Sequence, residues 1–439
     1  MQKKQRYIFD LFAGCGGLSL GLENAGFLPV LVSELDDHAR DTYVKNRSHK
    51  LGNYSFKELK SLHFSDVKTL CETSIKKSKE IISEICKIEK DFEVDLIVGG
   101  PPCQGYSGIG HRRSYIVDKQ ELPSNKLYEP MANQIELVKP KAFLFENVRG
   151  ILSGRWTKEG EKGEIWKDVR KRFASIEGYT TDWQLVQAKN YGVPQNRPRV
   201  LLVGIRNDVA HKAQLKINNG DNNAIAQGLL PPNGSSQAPN LIDLLSDLVD
   251  PETSKILDSQ NFPQKFTTLI YKSDPKTPLQ KQLRTRPDGT VIGTGEALTE
   301  QEYSKHKSHI VEKFKFMLAN DGAIAERYKT KKFAQRVLPA KWGNKGPYIT
   351  ATSLPDDYVH YQQPRILTVR EWARLQTFPD WYEFSGKRTT GGTRRAGVPT
   401  KGNFERELPK YTQIGNAVPV KLAEAVGQHL INILENAGE

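Results

Sequence analysis

The stretch Phe9-Asp-Leu-Phe-Ala-Gly-Cys-Gly-Gly-Leu18 decides the fold. Its first half closes an apolar run from Tyr7 to Phe12 with the composition of a buried strand. Its second half is a glycine-rich turn that opens a helical segment ending near Gly26. Outward from it the alternation repeats. Leu28 to Ser33 (LPVLVS) is a second strand, followed by the helix-like DDHARDTYVKN, and VDLIV (94–98), AFLF (142–145) and RVLLVG (199–204) supply further strands. Continuous apolar strands alternating with helical patterns predict an α/β fold, doubly wound about a mostly parallel, Rossmann-like sheet. Ligands of such sheets sit at the carboxyl ends of the strands.

With 439 residues the chain has room for two or three domains, each with a full core. No run approaches the roughly 20 apolar residues of a membrane span, and the opening MQKKQRYIFD lacks the apolar core of a secretory signal. Four cysteines (Cys15, Cys71, Cys86, Cys103) without a CxxC pair predict a reducing, cytoplasmic setting, with Cys71 and Cys86 as buried, inert thiols. The formal net charge is +13, of which +10 falls within residues 301–410. A cationic surface so localised suits a polyanion, because neutralised phosphates release their counterions, although a merely basic soluble protein has the same arithmetic.

From about 207 to 400 the texture changes. Residues 218–239 are rich in Asn, Gly, Ser and Pro and predict a connector, and short strand-like pieces follow between polar loops such as RTRPDGTVIG. The segment VKLAEAVGQHLINIL (420–434) returns to apolar residues at i, i+3, i+4 and i+7, the spacing of an amphipathic helix. The expected division is a catalytic domain of residues 1–206 completed by 405–439, with a second, smaller domain at 207–404.

Four motifs carry chemistry. In FDLFAGCGGL the glycines let the backbone approach a nucleotide-like ligand, and Phe12 can pack on an aromatic base. The spacing is neither GxGxxG nor a P-loop, which argues against nucleoside triphosphate hydrolysis. Glu34 ends the second strand, where a carboxylate can accept both ribose hydroxyls or simply remain a solvated charge. In VGGPPCQGYS (98–107) a stiff Pro-Pro turn presets the direction of Cys103, a candidate nucleophile. In FLFENV (143–148) Glu146 ends an apolar strand, where desolvation raises a carboxyl pKa and suits a proton donor. In QNRPRV (195–200) Arg197 and Arg199 are two apart, on one face if extended. They can hold an oxygen of the substrate or pair with Glu146.

These motifs, in this order, resemble those of the DNA cytosine-5 methyltransferases of bacterial restriction–modification systems. RILTVREWARLQTFP (365–379) and QIGNAVPV (413–420) extend the resemblance over most of the chain. It implies that 207–364 carries the variable target-recognition segment. It also implies that S-adenosylmethionine is the cofactor, with no metal, and that duplex DNA is the partner. By the same resemblance Cys103 adds to carbon 6 of a flipped-out cytosine, Glu146 hydrogen-bonds or protonates N3, and Arg197 or, preferentially, Arg199 contacts O2. Phe12 stacks on the adenine and Gly14, Gly16, Gly17 and Leu18 line the methionine part. Glu34 holds the ribose, and Leu35, Asp66, Pro102 and Asn416 complete the cofactor site. Leu127 falls where the family has a further contact, but LPSNKLYEP departs from the family pattern there. The expected protein is a cytoplasmic bacterial monomer whose linked restriction endonuclease need not bind it.

Two other readings stay open: a tRNA cytosine-5 methyltransferase of the same architecture, and a catalytically silent DNA-binding protein. The long recognition segment argues against the first, and the intact Cys103, Glu146 and Arg199 against the second. A fused helix-turn-helix regulator is disfavoured, as no segment precedes the first strand to hold one. Zinc deaminase chemistry fails because no H-x-E accompanies a P-C-x-x-C. Arg284, Arg286, Lys331, Lys332 and Arg336 are candidate DNA contacts, with a solvated basic face the stronger expectation for each.

Overall fold

The computed structural model describes residues 4–102, 126–157, 159–215, 222–234, 237–258, 266–329, 335–342, 346–347, 350, 355–390 and 407–439. Seven strands form one sheet: β1 (Arg6–Leu11), β2 (Phe27–Ser33), β3 (His63–Phe64), β4 (Leu96–Gly99), β5 (Ala142–Val148), β6 (Tyr179–Gln187) and β7 (Pro198–Arg206). Their order is β3-β2-β1-β4-β5-β7-β6. The pairings from β3 to β5 are parallel, whereas β7 runs antiparallel to both β5 and β6. The mostly parallel expectation holds, with an antiparallel end. The edge strand β6 (YTTDWQLVQ) has no apolar run, because half of it faces solvent, and hydropathy alone passed it over.

The inner strands are apolar along their whole length because helices cover both faces. On one face Phe9, Leu11, Ile97, Phe143 and Phe145 pack against α2 (Asp37–Lys45), α3 (Glu72–Cys86), α4 (Tyr128–Val138) and α5 (Glu164–Ala174). On the other, Ile8, Leu96, Val98, Leu144 and Val203 pack against α1 (Gly17–Ala25), α6 (Asn207–Lys212) and the final helix. A Cβ on Gly21 would fall on the Val420 carbonyl and Ala423, so α1 and the last helix touch backbone to side chain there.

Beyond the sheet, a second core gathers α7 (Leu241–Leu245), α8 (Pro278–Arg284) and α10 (Val369–Leu375). It continues into the first half of the chain through Cys15 and Leu20, and into Tyr411 and Ile414 of α11 (Lys410–Asn416) and Val420, the first residue of α12 (Val420–Asn436). A smaller cluster seats α9 (Ser308–Ala319) against Val359 and Ile366. The predicted connector is partly packed: Ala224, Leu229 and Leu230 are fully buried on the α12 face of the sheet. Two cysteine expectations fail. Cys71 is exposed and Cys86 is only half-buried, because they stand at the two ends of α3, Cys71 as its N-cap and Cys86 as its last residue, beyond the buried Ile75, Ser78 and Ile82.

Candidate active site

The predicted chemistry converges on one edge of the sheet, the carboxyl ends of β1 to β5. After β1 the chain turns sharply, with Phe12 at φ 60° and Gly14 and Gly16 at positive φ before α1 begins at Gly17. The turn is pinned by Ala13 N–H donating to the Ser33 carbonyl (3.0 Å) and Gly16 N–H to the Ala13 carbonyl (2.9 Å). Leu18 is buried on α1. Glu34, at the end of β2, faces this turn. Its Oε2 accepts from Gly14 N–H (2.8 Å) and its Oε1 from Asp36 N–H (2.9 Å). Burial raises the Glu34 pKa, and these two N–H donors only partly offset it.

Glu34 N–H in turn donates to the Phe64 carbonyl (3.0 Å), which brings Asp66, just past β3, to the same edge. One oxygen of Asp66 caps the next turn by accepting from Lys68 N–H (2.9 Å). Leu35 is 74% exposed between these acids, a large apolar side chain that the protein itself does not cover. A Cβ added to Gly14 would meet nothing within 4 Å, so the space above the turn is open. Exposed Leu35, half-buried Phe12, fixed carboxylate oxygens and the N-terminus of α1 suit an adenosine carrying an amino-acid carboxylate. The donor set thus fits S-adenosylmethionine.

The second half of the edge lies at β4, β5 and β7. Pro101 and the exposed Pro102 follow β4, and Cys103 itself lies outside the described residues, as do Lys331 and Lys332. In the antiparallel register Arg199 opposes Val148, two positions from Glu146, so Glu146 and Arg199 share a face as diagonal neighbours. Arg199 Nε lies 2.5 Å from Glu146 Oε1, and both side chains are nearly inaccessible. Burial raises the Glu146 pKa against the opposing pull of Arg199 and Arg197. A Cβ on Gly100 would come 2.8 Å from Glu146 Oε2, so only glycine lets that carboxyl rest over the PPC loop.

Arg197 and Arg199 part company: Arg197 reaches the Gly415 carbonyl of α11. That places α11 and its exposed last residue, Asn416, beside the start of β7, while the following Ala417 and Val418 press on Gly17. Leu127 is half-buried at the start of α4, immediately after residues outside the description.

Several residues that hold this edge together were not singled out from the sequence. Asn147 Nδ2 donates to the Pro101 carbonyl (3.1 Å), tying the ENV and PPC motifs. Gln195 Nε2 donates to the Leu375 carbonyl and Gln376 Oε1 (both 2.7 Å), and Gln376 Nε2 to the Ile414 carbonyl (2.8 Å). Their signal was present, since all three lie inside the quoted motifs. Arg47, under the glycine-rich turn, gave none.

One expectation for the basic region is overturned. Arg284 is neither a DNA contact nor a solvated charge: it is fully buried, stacked on Tyr271 (3.8 Å) and paired with Asp247 (3.3 Å). Arg286 is partly exposed and paired with Glu296, and Arg336 stacks on Tyr358. Among the described residues no cluster of His, Cys, Asp or Glu is placed to hold a metal ion, and no helix is long and apolar enough to cross a membrane.

This sheet order, with a glycine-rich turn after β1 and a buried acid on β5, defines an α/β methyltransferase-like fold. The C-5 cytosine-specific DNA methylase family model matches residues 7–432, and the chain belongs to that family. It is 30% identical to the type II methyltransferase M.DdeI of Desulfomicrobium norvegicum, over 98% of this chain and 89% of the relative. It is 28% identical to the type II methyltransferase M.XorII of Xanthomonas oryzae pv. oryzae, over 98% and 85%. A solved structure described as a prophage-encoded DNA modification methyltransferase from E. coli shares the fold, with a TM-score of 0.63 at 23% identity, covering 98% of this chain and all of the other.

Proposed function

We propose that the protein is a DNA (cytosine-5-)-methyltransferase that modifies one short duplex sequence, using S-adenosylmethionine, and that it is the modification half of a type II restriction–modification system. It acts on its site as a cytoplasmic monomer, and the linked endonuclease need not bind it. Residues 1–206 with 405–439 form the catalytic part and 207–404 the target-recognition part. What supports this most is the meeting at one sheet edge of Glu34 beside the glycine-rich turn and the Glu146–Arg199 pair beside the PPC loop.

Glu34 holds the ribose, Phe12, Leu35 and Asp66 flank the adenine, and Gly14, Gly16, Gly17, Leu18, Pro102, Leu127 and Asn416 line the rest of the cofactor site. When bound, S-adenosylmethionine supplies an electrophilic methyl group, a chemistry that needs no metal. Flipping the cytosine out of the duplex costs a few kcal/mol of unstacking. The Cys103 thiolate adds to carbon 6, and Glu146, whose pKa burial raises, hydrogen-bonds or protonates N3 as negative charge develops on the ring. Arg199 orients Glu146 and contacts O2, and Arg197 holds the Asn416 segment in place. After carbon 5 has taken the methyl group, a base removes the carbon 5 proton and the thiolate leaves carbon 6, restoring the double bond.

Incubation of the protein with labelled S-adenosylmethionine and unmethylated duplex DNA, followed by bisulfite sequencing, tests this. The expected result is protected cytosines within one recurrent short sequence. Cys103→Ala should abolish transfer while S-adenosylmethionine still binds. Cofactor binding without incorporation into DNA, but with incorporation into tRNA, would overturn the substrate assignment.

A further inference from the structure

The glycine-rich turn is an unfavourable piece of backbone. Phe12, Gly14 and Gly16 all have positive φ, and for Phe12 that conformation carries a steric cost. Something outside the turn must therefore hold it, and the partners of its carbonyl groups identify what does. The Cys15 carbonyl accepts from the Tyr382 hydroxyl (2.6 Å). The Gly16 carbonyl accepts from Leu20 N–H (2.9 Å) and from Arg47 Nη2 (3.2 Å).

Arg47 and Tyr382 are themselves joined, with Arg47 Nη1 donating to the Tyr382 hydroxyl (2.7 Å) and to the Tyr43 carbonyl (2.9 Å). The guanidinium lies flat on the Tyr43 ring, 3.6 Å from its centre, and pairs with Glu23 of α1 (2.9 Å). Arg47 and Tyr382 are both almost wholly removed from solvent. A Cβ on Gly16 would come within 2.6 Å of Arg47 Nη1 and 2.8 Å of the Tyr43 ring, so their close approach adds to the positive φ in favouring glycine there.

We infer that Arg47 and Tyr382 are positioning residues for the cofactor turn, setting the direction of its peptide groups for S-adenosylmethionine. This rests on the proposal that the turn binds that cofactor. Because each peptide is planar and trans, a carbonyl fixed inward directs the next residue's N–H to the other side. Fixing the Gly16 carbonyl therefore fixes the Gly17 N–H, the first of α1, at the end of the helix where the dipole favours a carboxylate. Fixing the Cys15 carbonyl does the same for Gly16 N–H, which closes the turn onto Ala13. The Tyr382 ring packs against Phe378 and Phe384 as any aromatic could. Its hydroxyl, by contrast, is aimed at the backbone of a turn 367 residues away in sequence.

The test is isothermal titration of the full chain with S-adenosylmethionine, beside thermal unfolding with and without it. Tyr382→Phe keeps the ring and removes one hydroxyl that bonds to a buried cation and to the turn. The expected dissociation constant rises about tenfold, the scale of one charge-assisted hydrogen bond. Affinity for duplex DNA without cofactor should stay unchanged, and the cofactor-induced rise in Tm should shrink. Arg47→Lys, whose single ammonium cannot span the Gly16 carbonyl and the Tyr382 hydroxyl together, should weaken cofactor binding in the same way. The double variant should be little worse than the weaker single one, because the two act as a unit. A lower Tm in both single variants with cofactor affinity within twofold of the unaltered protein would overturn the inference, leaving the pair a packing feature. No cofactor binding by the unaltered protein would instead overturn the reading of the turn on which the inference rests.

Discussion

At the carboxyl edge of the sheet, Asp10, Glu34 and Glu146 lose most of their hydration, and burial pushes each carboxyl upward, Asp10 to about 7. In the packed region between residues 240 and 384, Glu371 and Asp380 are as deeply buried and shift the other way. Burial works against their charge too, but Arg365 holds Glu371 down to about 2, and Arg374 with Arg370 lowers Asp380. Geometry makes the difference. Glu371 receives Arg365 through two parallel bonds of 2.7 Å and also caps α10 by accepting from Thr368 N–H (2.8 Å). Asp380 receives Arg374 Nε (2.9 Å) and the Tyr271 hydroxyl (2.6 Å). Glu146 meets Arg199 Nε at 2.5 Å, with Arg197 also pulling its pKa down, and burial still outweighs both. A buried carboxyl stays low where a guanidinium grips it through parallel bonds, and burial wins at the sheet edge, where Glu34 is bonded by neutral N–H groups and Asp10 by a hydroxyl.

The comparison breaks most visibly at Arg374, which bridges Asp247 (2.6 Å) and Asp380 at the centre of the second core. Arg374→Met keeps the volume and removes the cation shared by two buried acids, leaving Asp247 only the longer contact with Arg284 (3.3 Å) and Asp380 only that with Arg370 (4.0 Å). The expected loss is about 3–5 kcal/mol, the cost of breaking a buried pair from one side, read from the urea midpoint at unchanged m-value. A loss below about 1 kcal/mol would mean that those acids do not depend on Arg374 for their charge.

These arginines also mark where the sequence was legible. The alternation of apolar strands and helices was enough to place β1, β2, β4, β5, β7 and the last helix, because burial on both faces leaves an uninterrupted apolar run. It missed β6, an edge strand with one wet face, and β3, which is two residues long. Glu34, Glu146 and Arg199 were legible because each ends or begins such a run at the ligand edge. Arg284, Arg365, Arg370 and Arg374 were opaque for the opposite reason. A guanidinium looks alike in sequence whether it meets phosphate or a buried carboxylate, and its partners Asp247 and Asp380 lie in other loops. Arg47 was opaque because it follows a polar helix, with Tyr382 335 residues away.

A sharper test of the sheet-edge half uses Asp10, which accepts from Ser19, whose hydroxyl also meets that of Tyr43, beneath the cofactor turn. Its folded pKa of about 7 lies above the ordinary carboxylate value, so the folded state binds the proton more tightly. Its stabilising contribution is therefore full below about pH 4, declines as the pH rises through the interval to about 7, and is flat above that. Asp10→Asn, a neutral group of the same shape, removes this dependence. The variant's stability should exceed that of the unaltered protein by an amount that grows by up to about 1.4 kcal/mol per pH unit between pH 5 and 7. Parallel stability curves across that interval would show that Asp10 is ionised throughout.

The smallest expected effect separates two neighbouring candidate DNA contacts. Arg284 and Arg286 are two residues apart, but Arg284 is sealed over Tyr271 and Arg286 reaches solvent beside Glu296. Arg286→Ala should leave stability almost unchanged, because exposed ion pairs contribute little. If Arg286 meets a phosphate when DNA is bound, its loss should reduce the slope of log affinity against log salt by about one. Arg284→Ala should do the reverse, lowering the urea midpoint while the salt slope of the remaining folded protein stays the same. Equal salt slopes in both variants and the unaltered protein would remove Arg286 from the DNA-facing surface and leave the phosphates to other side chains, those of residues 301–410 foremost.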